Sequence, residues 1–231
     1  MKGILYGIGI GPGDPELMTL KAVRLLKESE VIAFPGPVAK ETVAYQISVQ
    51  SVPELDDDSK TLLSVNMPMV HDLEEQHRNH VKAAELIASY LDQGKDVCFP
   101  VLGDSTVYST YVYVQKIVKE MGYETQLVAG ITSFCATAAR LNISLCEWTE
   151  ELHIVPAVHK LQHELDQPGN YVLMKSGSKM AQVKEILRKA DRDVYMVENC
   201  GMPDEKIYHG VEEIPDDAGY YSLIIAKEKK D

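Results

Sequence analysis

The chain has 231 residues, 45% of them hydrophobic and 25% charged, and its 23 Lys+Arg against 35 Asp+Glu give a formal charge of −12. That mix belongs to a globular protein and excludes disorder, collagen-like repeats and a small disulfide scaffold. The acidic balance, with no cluster of five or more Lys/Arg, argues against nucleic acid. No apolar run reaches the roughly 18 residues of a membrane span.

The opening MKGILYGIGIGPGD passes from a short apolar stretch into a Gly/Pro loop without a small-residue cleavage site. It therefore reads as a first strand and not as a signal peptide. Strands are expected at Ile4–Ile10, Val31–Phe34, Thr61–Val65, Asp96–Leu102 and Glu124–Val128. Helices are expected at Leu17–Ser29, Asp72–Gln93 and Val107–Met121. In the second helix Leu73, His77, His80, Val81, Ala84, Ile87, Ala88 and Leu91 share a face; in the third, Val107, Tyr111, Val114, Val118 and Met121 do. Gly94 and Gly122 follow where a glycine stop belongs. Ser51–Lys60 reads as a solvated loop. Strand–helix alternation of this kind predicts a mostly parallel, covered sheet.

The polar stretch Asn142–Glu150 resembles a linker, and a second α/β series follows it. Its strands are expected at Leu152–Ala157, Tyr171–Lys175, Val194–Glu198 and Tyr220–Ala226, with a short one within Glu205–Val211 and a helix at Lys179–Lys189. The prediction is a two-domain α/β chain divided at 1–145 and 146–231, with a ligand cleft between the domains. Cys98, Cys135, Cys146 and Cys200 form no CxxC pair or zinc-like spacing, which suits reduced thiols in a cytoplasm.

Three Gly-bearing loops follow strands in the first half, where open α/β sheets bind ligands. Gly7–Pro15 fits neither GxGxxG nor a Walker loop, because Pro12 or Asp14 takes the sixth position and no Gly-Lys-Ser/Thr follows. Four glycines and two prolines in nine residues still exceed what a plain turn requires. In Val101–Thr106, Asp104 or Ser105 could cap a helix, or Gly103 and Asp104 could approach a ligand. In Ala129–Ser133, Thr132 and Ser133 suit a cap or a donor to a ligand. Met174–Gly177 and Glu198–Pro203 end strands of the second half. No catalytic triad is visible. His77 and His80 lack a plain third ligand, so no metal site is expected. His153 and His159 flank Pro156 near the domain junction and read as packing or surface residues.

Together, GIGIGPGDPELMTLKA (Gly7–Ala22), VLGDSTVY (Val101–Tyr108), VAGITSFCATAA (Val128–Ala139), YVLMKSG (Tyr171–Gly177), VENCGMP (Val197–Pro203) and YYSLIIAK (Tyr220–Lys227) resemble the tetrapyrrole methylase family, in the family's order. The first motif is shared with diphthine synthases. ITSFCA, LHIVPA, VLMKSG and VENCGMP resemble the precorrin-2/cobalt-factor II C(20)-methyltransferases of cobalamin biosynthesis. Many relatives carry Gly-Asp-Pro where this chain has Gly103-Asp104-Ser105.

The resemblance implies a homodimeric enzyme that methylates a tetrapyrrole meso carbon using S-adenosylmethionine. The matched cofactor contacts are Pro12, Leu102, Gly103, Asp104, Val107, Thr132, Ser133, Met174 and Cys200. Asp104 and Tyr108 are the candidate proton handlers. Lys40, Arg140 and Lys175 are candidates for the substrate carboxylates, and Phe34, Met67 and Tyr108 for contacts to the ring. The alternatives are a diphthine synthase-like enzyme or a non-catalytic tetrapyrrole or metal carrier such as a cobalt chelatase. Paired His153 and His159 would serve the chelatase but leave the glycine loops unexplained.

Overall fold

A computed structural model describes residues 1–230 except 69, 71, 158–164 and 166, with the backbone alone of Ser178. His71, His159 and His163 therefore lie outside the described residues. The chain divides into two compact units, Met1–Thr132 and Ser133–Asp231.

The first unit is built on β1 (Ile4–Gly9), β2 (Val31–Pro35), β3 (Thr61–Val65), β4 (Val97–Val101) and β5 (Glu124–Val128), ordered β3-β2-β4-β1-β5. Every pairing is parallel. The alternation of side chains sorts the sheet into two buried faces. Leu5, Val31, Ala33, Val97 and Phe99 pack on α3 (Leu73–Leu91) and α4 (Tyr111–Glu120). The residues between them, Ile32, Phe34 and Cys98, face α1 (Leu20–Glu28) and α2 (Val43–Ser51): Cys98 Sγ lies 3.6 Å from the Leu25 carbonyl, and Phe34 meets Tyr45 edge-on at 5.5 Å.

Several boundaries differ from the sequence expectation for identifiable reasons. The first helix starts at Leu20 because Thr19 caps it, its hydroxyl accepting from Ala22 N at 3.2 Å after a separate 3-10 turn at Pro15–Leu17. In α3, Leu73 and His77 are exposed, because the first turn runs ahead of the core. The third helix begins at Tyr111, not Val107: Tyr108 has φ 49°, a left-handed conformation that no helix continues through. Helix α2 was not expected; it buries Ala44, Tyr45, Ile47 and Ser48, and its mixed sequence carries no clean polar face. Ser51–Lys60 is not simply solvated, since Val52 and Leu55 are core residues. Gly94 and Gly122 do end α3 and α4, with φ of 77° and 85°.

The second unit opens with α5 (Ser133–Leu141) and continues through β6 (Leu152–Pro156), β7 (Asn170–Met174), α6 (Met180–Lys189), β8 (Arg192–Glu198), β9 (Lys206–His209) and β10 (Ser222–Glu228). Its sheet runs β6-β7-β10-β8-β9; β6 and β7 are parallel and the other pairs antiparallel. Tyr171, Leu173, Met196 and Ile224 form its core with Met180, Val183 and Leu187 of α6. The division at Thr132 precedes the expected 145/146 boundary because α5 packs against β10. Asn142–Glu150 is tied down as well: Lys227 Nζ donates to the Ser144 carbonyl at 2.5 Å, and Lys230 lies 3.0 Å from both Glu147 and Glu150.

Candidate active site

In the first sheet the chain leaves β1 toward β2 and leaves β4 toward β5, in opposite directions, with β1 and β4 adjacent. The carboxyl ends of these two strands therefore border the crevice where open parallel sheets bind ligands. Backbone hydrogen bonds join their loops: Ile10 N donates to Val101 O at 3.0 Å, and Gly11 and Gly103 exchange both bonds, at 3.2 and 2.8 Å. Gly11 and Gly103 take φ of 80° and 70°, which glycine adopts without strain. The loop after β5 closes onto the same point. A Cβ on Gly9 would lie 2.6 Å from Gly130 N and 2.8 Å from the Gly103 carbonyl oxygen, so the three loops meet backbone to backbone.

Asp104 ties this seam together. Its Oδ2 accepts from Gly130 N at 2.7 Å, and its Oδ1 from Thr106 N at 2.7 Å and from the Thr106 hydroxyl. Burial pushes the carboxyl pKa up, but these three donors outweigh it and hold the group below its ordinary value, ionised. The neighbouring Ser105 is fully buried and donates through Oγ to the Val128 carbonyl at 3.1 Å. Neither residue caps α4. Thr106, Gly130 and the Val128 carbonyl are the partners the sequence reading missed; Asp-x-Thr is the signal for the first, since an Asp side chain commonly accepts from the backbone two residues on.

The remaining expected residues fall at strand ends. Pro12 is buried in the β1 loop; Leu102 and Val107 are half-buried on either side of Asp104, and Tyr108 is 44% exposed. Thr132 Oγ1 is buried with no hydrogen-bond partner among the described residues. A buried hydroxyl held without a partner suits a polar ligand group, and glycine backbone beside it leaves room for close approach. These residues fit a small polar-and-apolar cofactor.

In the second unit, Ser133 begins α5, Met174 ends β7 and Cys200 follows β8. Lys175 and Asn199, just past those strands, have φ of 60° and 54°. Ser176 Oγ is another buried hydroxyl without a partner among the described residues. Burial pushes the Cys200 thiol pKa up. Of the expected carboxylate binders, Arg140 pairs with Glu205 and Lys40 with Asp56, the latter at 2.7 Å. Phe34 is wholly buried and is a core residue, not a ring contact. His80 is also buried, stacked on Tyr113 at 5.1 Å, and His153 stacks on Tyr171 at 4.6 Å within the sheet.

Residues 4–215 match the model of the Tetrapyrrole (Corrin/Porphyrin) Methylases. The chain belongs to this family. It is 34% identical to the protein named probable cobalt-precorrin-2 C(20)-methyltransferase in Methanocaldococcus jannaschii, across 98% of this chain and 96% of that one. It is 26% identical to the cobalt-precorrin-2 C(20)-methyltransferase of Salmonella typhimurium, across 99% and 98% of the two chains. Among solved structures, uroporphyrin-III C-methyl transferase from Thermus thermophilus, complexed with S-adenyl homocysteine, shares the fold with a TM-score of 0.72 at 23% identity, covering 98% of both chains.

Proposed function

We propose that this methylase transfers the methyl group of S-adenosylmethionine to the C(20) meso carbon of precorrin-2 or its cobalt complex in cobalamin biosynthesis. The observation that carries the reading is the end-to-end identity of 34% with the M. jannaschii protein, together with the glycine seam of the first sheet. When bound, the cofactor supplies a methyl group on a sulfonium sulfur. Pro12, Leu102, Gly103, Val107, Thr132 and the backbone of Asp104 are its proposed contacts in the first unit, and Ser133, Met174 and Cys200 its further contacts. The Thr132 hydroxyl would satisfy a polar group of the cofactor, while half-buried Leu102 and Val107 would exclude water from it.

The protein's main task in such a transfer is positioning, where effective molarities reach roughly 10⁵–10⁸ M. A seam of three loops joined by backbone contacts suits that task, because it has little freedom to rearrange. The meso carbon must also lose a proton. Asp104 and Tyr108 are the titratable side chains on the β4 loop, and since the carboxylate already accepts three hydrogen bonds, the half-exposed Tyr108 hydroxyl is proposed to relay the proton, passing its own to solvent as it takes the one from carbon. Four unpaired cysteines support a cytoplasmic setting, and the family resemblance supports a homodimer.

The test is anaerobic incubation of the purified chain with S-adenosylmethionine and precorrin-2, metal-free in one arm and cobalt-loaded in the other. One methyl group gained at C(20), read by mass spectrometry and NMR, is expected in at least one arm, and the faster arm identifies the substrate. Methylation of neither overturns the reading.

A further inference from the structure

We propose that Asp104 is a positioning residue that acts through the loop after β5, holding Thr132 where the cofactor needs it, and is not a proton acceptor. The inference rests on the cofactor reading above. Three observations carry it. Asp104 is 7% exposed and ionised, and its oxygens already accept from Gly130 N, Thr106 N and the Thr106 hydroxyl. To take a proton it would have to give up charge-assisted bonds that stabilise its anion. Gly130, the residue it grips, lies two positions before Thr132, whose buried hydroxyl has no hydrogen-bond partner among the described residues. Finally, Ser105 makes a second stitch from the same turn to the Val128 carbonyl, 3.1 Å away. Adjacent residues of the β4 loop thus grip the β5 end at positions 128 and 130, and Thr132 carries the next hydroxyl along that segment.

The Ser105 stitch is a feature of this chain's own sequence. A proline at that position, as in the Gly-Asp-Pro of many relatives, carries no hydroxyl and could not make it. Here the loop is held by a buried hydrogen bond in addition to the carboxylate.

The experiment compares Asp104→Asn, Thr132→Val and the double variant by calorimetric titration with S-adenosylhomocysteine, and follows the Gly130 amide by hydrogen exchange without ligand. In Asp104→Asn the side chain no longer carries the charge that grips Gly130 N, so the amide exchanges faster. Loss of a hydrogen bond to a charged group predicts about tenfold weaker binding or more. Thr132→Val weakens binding by a similar factor, and the double variant is weaker than either single by much less than the product, because both act through one contact. In turnover the Asp104→Asn effect falls on KM for the cofactor, and the pH profile of kcat keeps its shape. Thr106→Val, at an exposed position, removes only the hydroxyl donor; it shifts affinity the same way by a few-fold and serves if Asp104→Asn does not fold.

Collapse of kcat with loss of the acid limb and unchanged cofactor affinity would make Asp104 the proton acceptor and overturn the proposal. Multiplicative losses in the double variant, or unchanged Gly130 exchange, would overturn it too. If the wild type binds no S-adenosylhomocysteine, the cofactor reading itself falls and the positioning role with it. If the wild type binds and Asp104→Asn binds equally well, only the positioning role falls.

Discussion

Gly130 approaches Gly103 so closely that a Cβ at position 130 would lie 2.3 Å from the Gly103 carbonyl oxygen. The same Cβ would lie 2.7 Å from the carbonyl carbon of Gly9. Backbone on both sides leaves nothing that can swing away. Gly130→Ala is therefore expected to destabilise the first unit by about 1–3 kcal/mol, the usual cost of overpacking. It should also abolish calorimetric binding of S-adenosylhomocysteine at concentrations that saturate the wild type. Near wild-type affinity in a folded variant would show that the seam is not part of the cofactor site.

His80 gives a pH dependence whose sign is fixed by its surroundings. Burial pushes its pKa below the ordinary 6.5, with nearby His77 adding to the effect, so the neutral ring is the form the fold accepts. The unfolded chain binds this proton more readily. The stability associated with His80 is therefore fully present above about pH 6.5 and is lost as pH falls through the lower folded value. His80→Phe should reduce the loss of urea midpoint between pH 7.5 and pH 5. An unchanged slope would assign the acid sensitivity elsewhere.

Lys184 of α6 is buried and donates to the Ile214 carbonyl at 2.5 Å and to Asp216 at 2.6 Å. Lys184→Met keeps the aliphatic stem but leaves the carbonyl without its donor, at about 1–3 kcal/mol of unfolding free energy. Asp216→Asn should cost less, because its side chain is 72% exposed and exposed ion pairs contribute about 0–1 kcal/mol. Denaturant melts of the two variants should come out in that order.

The four thiols should label in a definite sequence. Cys135 and Cys146 are exposed, Cys200 is half-buried, and Cys98 is buried with its pKa pushed up to about 12 by burial. Alkylation of the native protein at pH 7.5 should modify Cys135 and Cys146 first, Cys200 slowly and Cys98 only after unfolding. S-adenosylhomocysteine should slow Cys200 alone. Peptide mapping after timed quenching reads both effects, and labelling of Cys200 that ignores the ligand would remove it from the proposed site.

Much of this molecule follows from local sequence. The ten strands among the described residues lie within two residues of their expected boundaries, because short runs of apolar side chains, bounded by glycine, proline and polar residues, mark strands that a covered sheet buries on both faces. The loops of the site were legible for the same reason, as glycines collect where strands end and chain must pass chain. What local pattern could not report was partnership. Whether Asp104 caps a helix or grips Gly130 depends on β4 and β5 both flanking β1, a sheet order set by long-range pairing. The parallel and antiparallel pairings of the second sheet, the burial of Val52 and Leu55, and the helix around Tyr45 are likewise decided by which surfaces meet in three dimensions. A residue's own period records which way it faces, and only the tertiary fold determines what it faces.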